Sequence, residues 1–231
     1  MNGKIVEKIR SEKQQPLIAV VGAQFPNKDY DRNTGIETGY LLRKHIGSRP
    51  GTLFTGGVEG VGVDIYTGVI RRCVDELRES ARKTMPDDRF FVLLPKFGSI
   101  KSMIPFEIPE AYNALGSLSK RNSIDVVFSG DHLAERREYL ANVADILIVV
   151  NGGVGTIDEA VIALQNKKPV ITLSYSGGAA LMLSAQTRHS RFMPFATHAL
   201  PFGEMISDDS RNLIFTASNA AEMLLHLDSL V

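Results

Sequence analysis

Apolar residues fall into short continuous runs, most of them closed by a glycine or proline turn and followed by residues at helical spacing. Such runs occupy 16–22, 51–55, 90–94, 124–128, 144–150, 169–173 and 213–216. Runs this short, rich in Val, Ile, Leu and Phe, are what strands buried on both faces of a parallel sheet require. Between them, helices are expected from about Asn33 to His45, over 131–143 and 157–165, and beyond Gly178. A long amphipathic helix places Val63, Tyr66, Val69, Ile70, Cys73, Val74 and Leu77 on one face and stops at Met85-Pro86. A closing helix, capped by Ser218, turns Ala221, Leu224, Leu225 and Leu227 inward.

Strands alternating with helices predict an α/β fold, a doubly wound, mostly parallel sheet with helices on both faces. Residues 1–15 are polar and read as an N-terminal tail or short helix ahead of one domain over 16–231. From Phe97 to Asn122 the period is lost, and Met103, Ile104, Phe106 and Tyr112 mix with glycines and prolines. So long an irregular stretch is functional or holds a short helix of its own, here over 109–118.

Asn151-Gly-Gly-Val-Gly-Thr-Ile-Asp-Glu159 joins the run 144–150 to a helix. In a strand, glycine turn and helix, free backbone N–H groups meet whatever lies above the helix N-terminus, and the helix dipole favours a negative charge there. A plainer reading is open, because Thr156 and Glu159 also fit a capping box. Further glycine turns close other strands, at Gly22, at Gly56-Gly57 with Gly60 and Gly62, and at Gly177-Gly178. In a parallel sheet these turns share one edge, where such folds bind ligands. Four glycine turns on one edge favour a phosphate-binding crevice over unrelated loops.

The 26 basic residues balance 26 acidic ones, so no global field recruits nucleic acid or an anionic membrane, and a small-molecule ligand is expected. The single cysteine, Cys73, lies on an apolar helical stripe and reads as core rather than nucleophile. No signal-type segment or run long enough to span a bilayer is present, and the expectation is a cytoplasmic protein.

Arg136 falls on the apolar stripe of helix 131–143, between Leu133 and Leu140. An inward guanidinium needs an anion, which a ligand phosphate or carboxylate supplies. A salt bridge to Glu135, Glu138 or another carboxylate is the alternative, and spacing does not separate Arg136 from its neighbour Arg137. Glu159 is the candidate acid/base, tuned by burial and nearby positive charge. His132, His189 and His198 lack ligand spacing, and no metal site or resident cofactor is expected.

The segment 151–159 resembles the PGGxGTxxE motif of the "Lonely guy" phosphoribohydrolases, long labelled lysine decarboxylases, within the Rossmann-like SLOG superfamily. Glu135-Arg136-Arg137 is similar to their ERK segment, Gly56-Gly57 and Gly60 to Gly62 to their GGGxxGLMG turn, and Leu94-Pro95-Lys96 to their IPK. The chain departs from that pattern at Asn151, which stands where the motif has proline. The resemblance implies a Rossmann-like dimer that hydrolyses the N-glycosidic bond of nucleoside 5′-monophosphates. It makes Arg136 and Glu159 the catalytic pair. Gly22, Gly56, Gly57, Gly60, Gly62, Arg137, Gly152, Gly153, Gly155 and Thr156 would then hold the nucleotide. Residues 97–122 are expected to select the base. The same superfamily includes molybdenum-cofactor carriers and nucleotide sensors, so a binding-only role is the competing expectation. A homo-oligomer, at least a dimer, is also expected because helix 157–165 is apolar nearly all round and needs a second cover.

Overall fold

The computed structural model describes residues 3–28, 30–56, 60–80, 89–95, 125–186 and 206–231. The expectations for 97–122, Gly57, Lys96, His189 and His198 lie outside these residues. Seven strands form one sheet: β1 (Leu17–Gly22), β2 (Thr52–Thr55), β3 (Phe90–Leu94), β4 (Asp125–Phe128), β5 (Ile146–Val150), β6 (Val170–Leu173) and β7 (Ile214–Ala217). Their order is β4-β3-β2-β1-β5-β6-β7, and every pairing is parallel. The α/β class and doubly wound architecture are as the apolar runs predict.

Side chains alternate across the sheet because successive Cβ atoms of a strand point to opposite faces. On β1, Leu17, Ala19 and Val21 enter one core, which also holds side chains of α1 (Gly3–Glu12), α4 (Leu133–Val143), α5 (Val154–Gln165) and α6 (Gly178–Gln186). Ile18 and Val20 enter the other, with α2 (Arg32–Gly47), α3 (Val61–Ser80) and α8 (Ala220–Leu230). A short α7 (Asp208–Arg211) precedes β7.

Residues 3–12 form a helix rather than a tail. Ile9 is buried, and Arg10 pairs with Asp145 at 2.8 Å while donating to the carbonyl of Val143. The inward side of α3 carries Val61, Ile65, Val69, Ile70 and Cys73, whereas Val63 and Tyr66 are half-buried, because at 3.6 residues per turn they fall off the line of Val61, Ile65 and Val69. Cys73 is buried, as expected of a core cysteine. The closing helix is capped by Asn219, whose side chain accepts from the N–H of Glu222, not by Ser218. Met223 and Leu227 face inward, and Ala221 and Leu225 are exposed.

Helix α5 starts at Val154 and is covered within the chain by β5, β6, α4, α6 and α7. Its Ile157, Ala160, Val161, Ala163 and Leu164 are buried, and Ile162 packs half-buried against the same core. This removes the apolar-helix reason for a dimer: the second cover comes from the chain's own helices. Among the described residues, no helix is long and apolar enough to cross a membrane.

Candidate functional site

The chain winds outward from β1 through β2 and β3 to β4, then returns to β5 on the other side of β1. The carboxyl ends of β1 and β5 are thus neighbours where strand order reverses, the place where such sheets open a crevice. Gly22 at the end of β1 is in register with Val150 at the end of β5. The turns after β1, β2, β5 and β6, with Gly22, Gly56, Gly152-Gly153 and Gly177-Gly178, all leave this one edge.

Gly153 is the N-cap of α5, in extended backbone, and no side chain caps the helix. This corrects the capping-box alternative. Thr156 lies inside the first turn, and its backbone N–H donates to the carbonyl of Gly153. Glu159 lies a turn further on, too far along to reach back to a cap. The left-handed Gly152 (φ 105°) sets the helix start early by turning the chain directly off β5. The first N–H groups of α5 have no acceptor within the helix. A Cβ added at Gly153 would meet nothing within 4 Å among the described residues, so none of them covers this turn.

Two arginines of α4 reach α5, at different points. Nη1 of Arg136 donates to Oε1 of Glu159 at 3.0 Å, and both residues are 4% exposed. The guanidinium lies against the backbone at the end of β2, where a Cβ on Gly56 would come within 2.1 Å of Nη1. Nε of Arg136 is buried without a partner among the described residues. Arg137 lies across the first turn of α5, where a Cβ on Gly155 would come within 2.4 Å of its Nη2. It is 3.6 Å from Asp158, and its side chain is 30% exposed. Burial pushes the Glu159 carboxyl above its usual range, against the pull of Arg136 and then Arg137. Burial also disfavours the charged form of Arg136, an effect the Glu159 carboxylate opposes.

The expected pair of Arg136 and Glu159 is therefore in contact, and Arg136, left open between a ligand anion and a carboxylate, is paired with Glu159. Gly22, Gly56, Gly60, Gly62, Gly152, Gly153, Gly155 and Thr156 all belong to turns or helix starts at this edge, and Arg137, inside α4, reaches the start of α5. His132 stands at the N-cap of α4, exposed, with no side-chain cap hydrogen bond. Among the described residues, no three His, Cys, Asp or Glu side chains gather as a metal site requires.

One group was missed by sequence reasoning. Asn151 has left-handed backbone (φ 52°) and is tied to Asn27 and Ser176, from the turns after β1 and β6. Its only signal in sequence is the departure from the motif's proline.

The fold defines a class, the Rossmann-like α/β proteins with a doubly wound parallel sheet. Residues 113–199 match the model of the SLOG cluster4 family, a span that takes in Arg136, Arg137 and the turn 151–159. The structure of TM1055 is 21% identical, with a TM-score of 0.58, over 93% of this chain and 99% of that one. The molybdenum cofactor carrier protein from Chlamydomonas reinhardtii is 21% identical, with a TM-score of 0.54, over 94% and 98%. The molybdenum cofactor binding protein from the phototrophic bacterium Rippkaea orientalis is 18% identical, with a TM-score of 0.55, over 94% and 97%. At these identities the likeness is one of fold. No curated protein matches the chain. The resemblance to the SLOG superfamily drawn from the motifs is shown by the family match together with this fold.

Proposed function

We propose that the chain binds a nucleoside 5′-monophosphate at the carboxyl edge of its sheet and hydrolyses the N-glycosidic bond. The products are the free base and ribose 5-phosphate. The observation that carries this reading is Arg137 lying across the uncapped start of α5, beside the Arg136–Glu159 pair. A cation at a helix N-terminus opposes the dipole, so an arginine over that turn is unfavourable until an anion sits between them. Asp158 offsets only part of this, from 3.6 Å. A phosphate bridging the free N–H groups and the guanidinium satisfies both.

Breaking the C1′–N bond builds positive charge on the sugar while water adds at C1′ and the base leaves with a proton. In this reading the Glu159 carboxylate stabilises that charge or takes the proton from water. Burial raises its basicity and supports the role. Arg136 orients Glu159 through their hydrogen bond and adds to the attraction for phosphate.

A second reading is a carrier that binds its ligand without altering it. It is favoured by the burial of Glu159 in its ion pair, an arrangement that serves to fix Arg136 and needs no chemistry. The fold's likeness to two molybdenum-cofactor-binding proteins is compatible with it. Purified protein assayed for free base against a panel of nucleoside 5′-monophosphates separates the two. Base release supports hydrolysis, and binding without release supports the carrier. A dimer belongs to the proposal on the motif resemblance alone, and sedimentation at micromolar concentration tests it.

A further inference from the structure

Asn151 closes β5 at the switch point, directly after Val150. Its backbone has φ 52°, a region unfavourable for most side chains and tolerated best by asparagine and aspartate after glycine. All but one of its polar groups are paired. The backbone N–H donates to Ser176 Oγ at 2.6 Å, and the backbone carbonyl accepts from the N–H of Ala180 at 2.9 Å. Nδ2 donates to the Ser176 carbonyl at 2.7 Å and to Asn27 Oδ1 at 3.2 Å. These two acceptors fix which end of the amide is which, since the carbonyl at Ser176 can only accept. Oδ1 remains, with no partner among the described residues, in a side chain only 1% exposed.

An unpaired buried acceptor is destabilising, and left-handed backbone adds to the cost. Both fall on one residue, at the edge where this class of sheet binds ligands. Burial of an unmet acceptor there is explained by a donor that arrives with the ligand.

We propose that Asn151 is a specificity-determining contact, its Oδ1 accepting a hydrogen bond from a neutral donor, a sugar hydroxyl or a base N–H, of the ligand held between β1 and β5. The proposal rests on the reading of this edge as a nucleotide site. The donor is not the phosphate itself, because the oxygens of an ionised phosphate ester accept hydrogen bonds and would meet Oδ1 as a second acceptor. Phosphate therefore goes to the first turn of α5, and residue 151 reads the group beside it. Proline at this position, as in the resembled motif, has no side-chain acceptor. The contact thus sets this chain apart from that pattern.

The test compares wild type with Asn151→Gly, which adopts φ 52° without strain. Affinities are measured for adenosine 5′-monophosphate, ribose 5-phosphate and inorganic phosphate, with melting temperatures alongside. The expected result is a loss of about tenfold for the nucleotide with inorganic phosphate unchanged. An equal loss for ribose 5-phosphate identifies a sugar hydroxyl, and a loss confined to the nucleotide identifies the base. Unchanged affinity for both esters overturns the proposal, as does a uniform loss that extends to inorganic phosphate. If the glycine variant does not fold, wild type carries the test against analogues of adenosine 5′-monophosphate that each lack one donor: the 2′-deoxy, 3′-deoxy and 6-desamino forms. One of them then binds about tenfold more weakly than the parent nucleotide, and equal affinity for all of them overturns the proposal. A wild type that binds neither ester defeats the nucleotide reading and this assignment with it, an outcome distinct from esters bound equally by both proteins.

Discussion

Nη1 of Arg136 donates to Oε1 of Glu159 across 3.0 Å, joining two side chains that are each 5% exposed and lie 23 residues apart. Taking two charges out of water consumes most of what their attraction returns, but removing one partner strands the other. Arg136→Met and Glu159→Met are each expected to lose about 3–5 kcal/mol of stability, and the double variant to lie close to wild type. Urea denaturation of the four proteins gives the coupling directly. Losses that simply add would show that the two charges do not depend on each other.

The two glycines nearest the arginines and the open turn predict opposite outcomes. A methyl at Gly56 would lie 2.1 Å from Nη1 of Arg136, so Gly56→Ala must displace the guanidinium from Glu159. It is expected to lower both stability and ligand affinity, the former by about 1–3 kcal/mol. A methyl at Gly153 meets nothing within 4 Å among the described residues. Gly153→Ala is therefore expected to change stability by about 1 kcal/mol or less while reducing phosphate-ester affinity about tenfold or more. Melting temperature and calorimetric titration separate these effects. Full affinity in Gly153→Ala would place the ligand away from the start of α5.

The sheet was legible because each strand is a continuous apolar run between breakers. Leu17 to Val21 and Ile146 to Val150 are buried almost completely on both faces and read as such. The pairing of Arg136 with Glu159 was legible in part. Helical spacing turned Arg136 inward and its place at a helix start in the crevice marked Glu159, but only the motif resemblance made them a pair. The start of α5 was misplaced because Thr156 and Glu159 copy a capping pattern, while the actual cap is a glycine with no side chain to announce it. The cluster of Asn27, Asn151 and Ser176 was not legible, since it joins loops from three strands, 124 and 25 residues apart. The inward face of α8 was not fixed by spacing, because Ala221 with Leu225 and Met223 with Leu227 are both apolar i, i+4 pairs, and only the second is buried.

Lys168 predicts a pH dependence away from the site. Its ammonium donates to the carbonyls of Ala141 and Asn142 at the end of α4. Burial lowers its pKa from 10.5 to about 8, with Asp145 opposing. Between these values the unfolded chain holds a proton that the folded chain has released, so this group makes stability rise with pH. Lys168→Met is expected to flatten the rise in urea midpoint between about pH 8 and pH 10 relative to wild type. An identical slope in both proteins would show that Lys168 titrates alike in the folded and unfolded chains.

Glu159→Gln decides between hydrolysis and carriage. The amide keeps the size of the side chain and an acceptor for Nη1 of Arg136, but carries no negative charge and takes no proton from water. If Glu159 stabilises the ribosyl cation or activates water, base release falls by about 10² or more while nucleotide affinity stays within about threefold. Arg136→Ala lowers affinity and turnover together, because attraction for phosphate acts in the ground state as well as in the transition state. Both variants leave a buried charge or an empty place, so rates are compared well below each protein's melting midpoint. If Glu159 only holds Arg136 in place, Glu159→Gln shifts the melting temperature and affinity, and there is no turnover for it to lose. A wild type that binds nucleoside monophosphates but releases base from none of them would give that result, and the ion pair would then be a positioning device in a carrier.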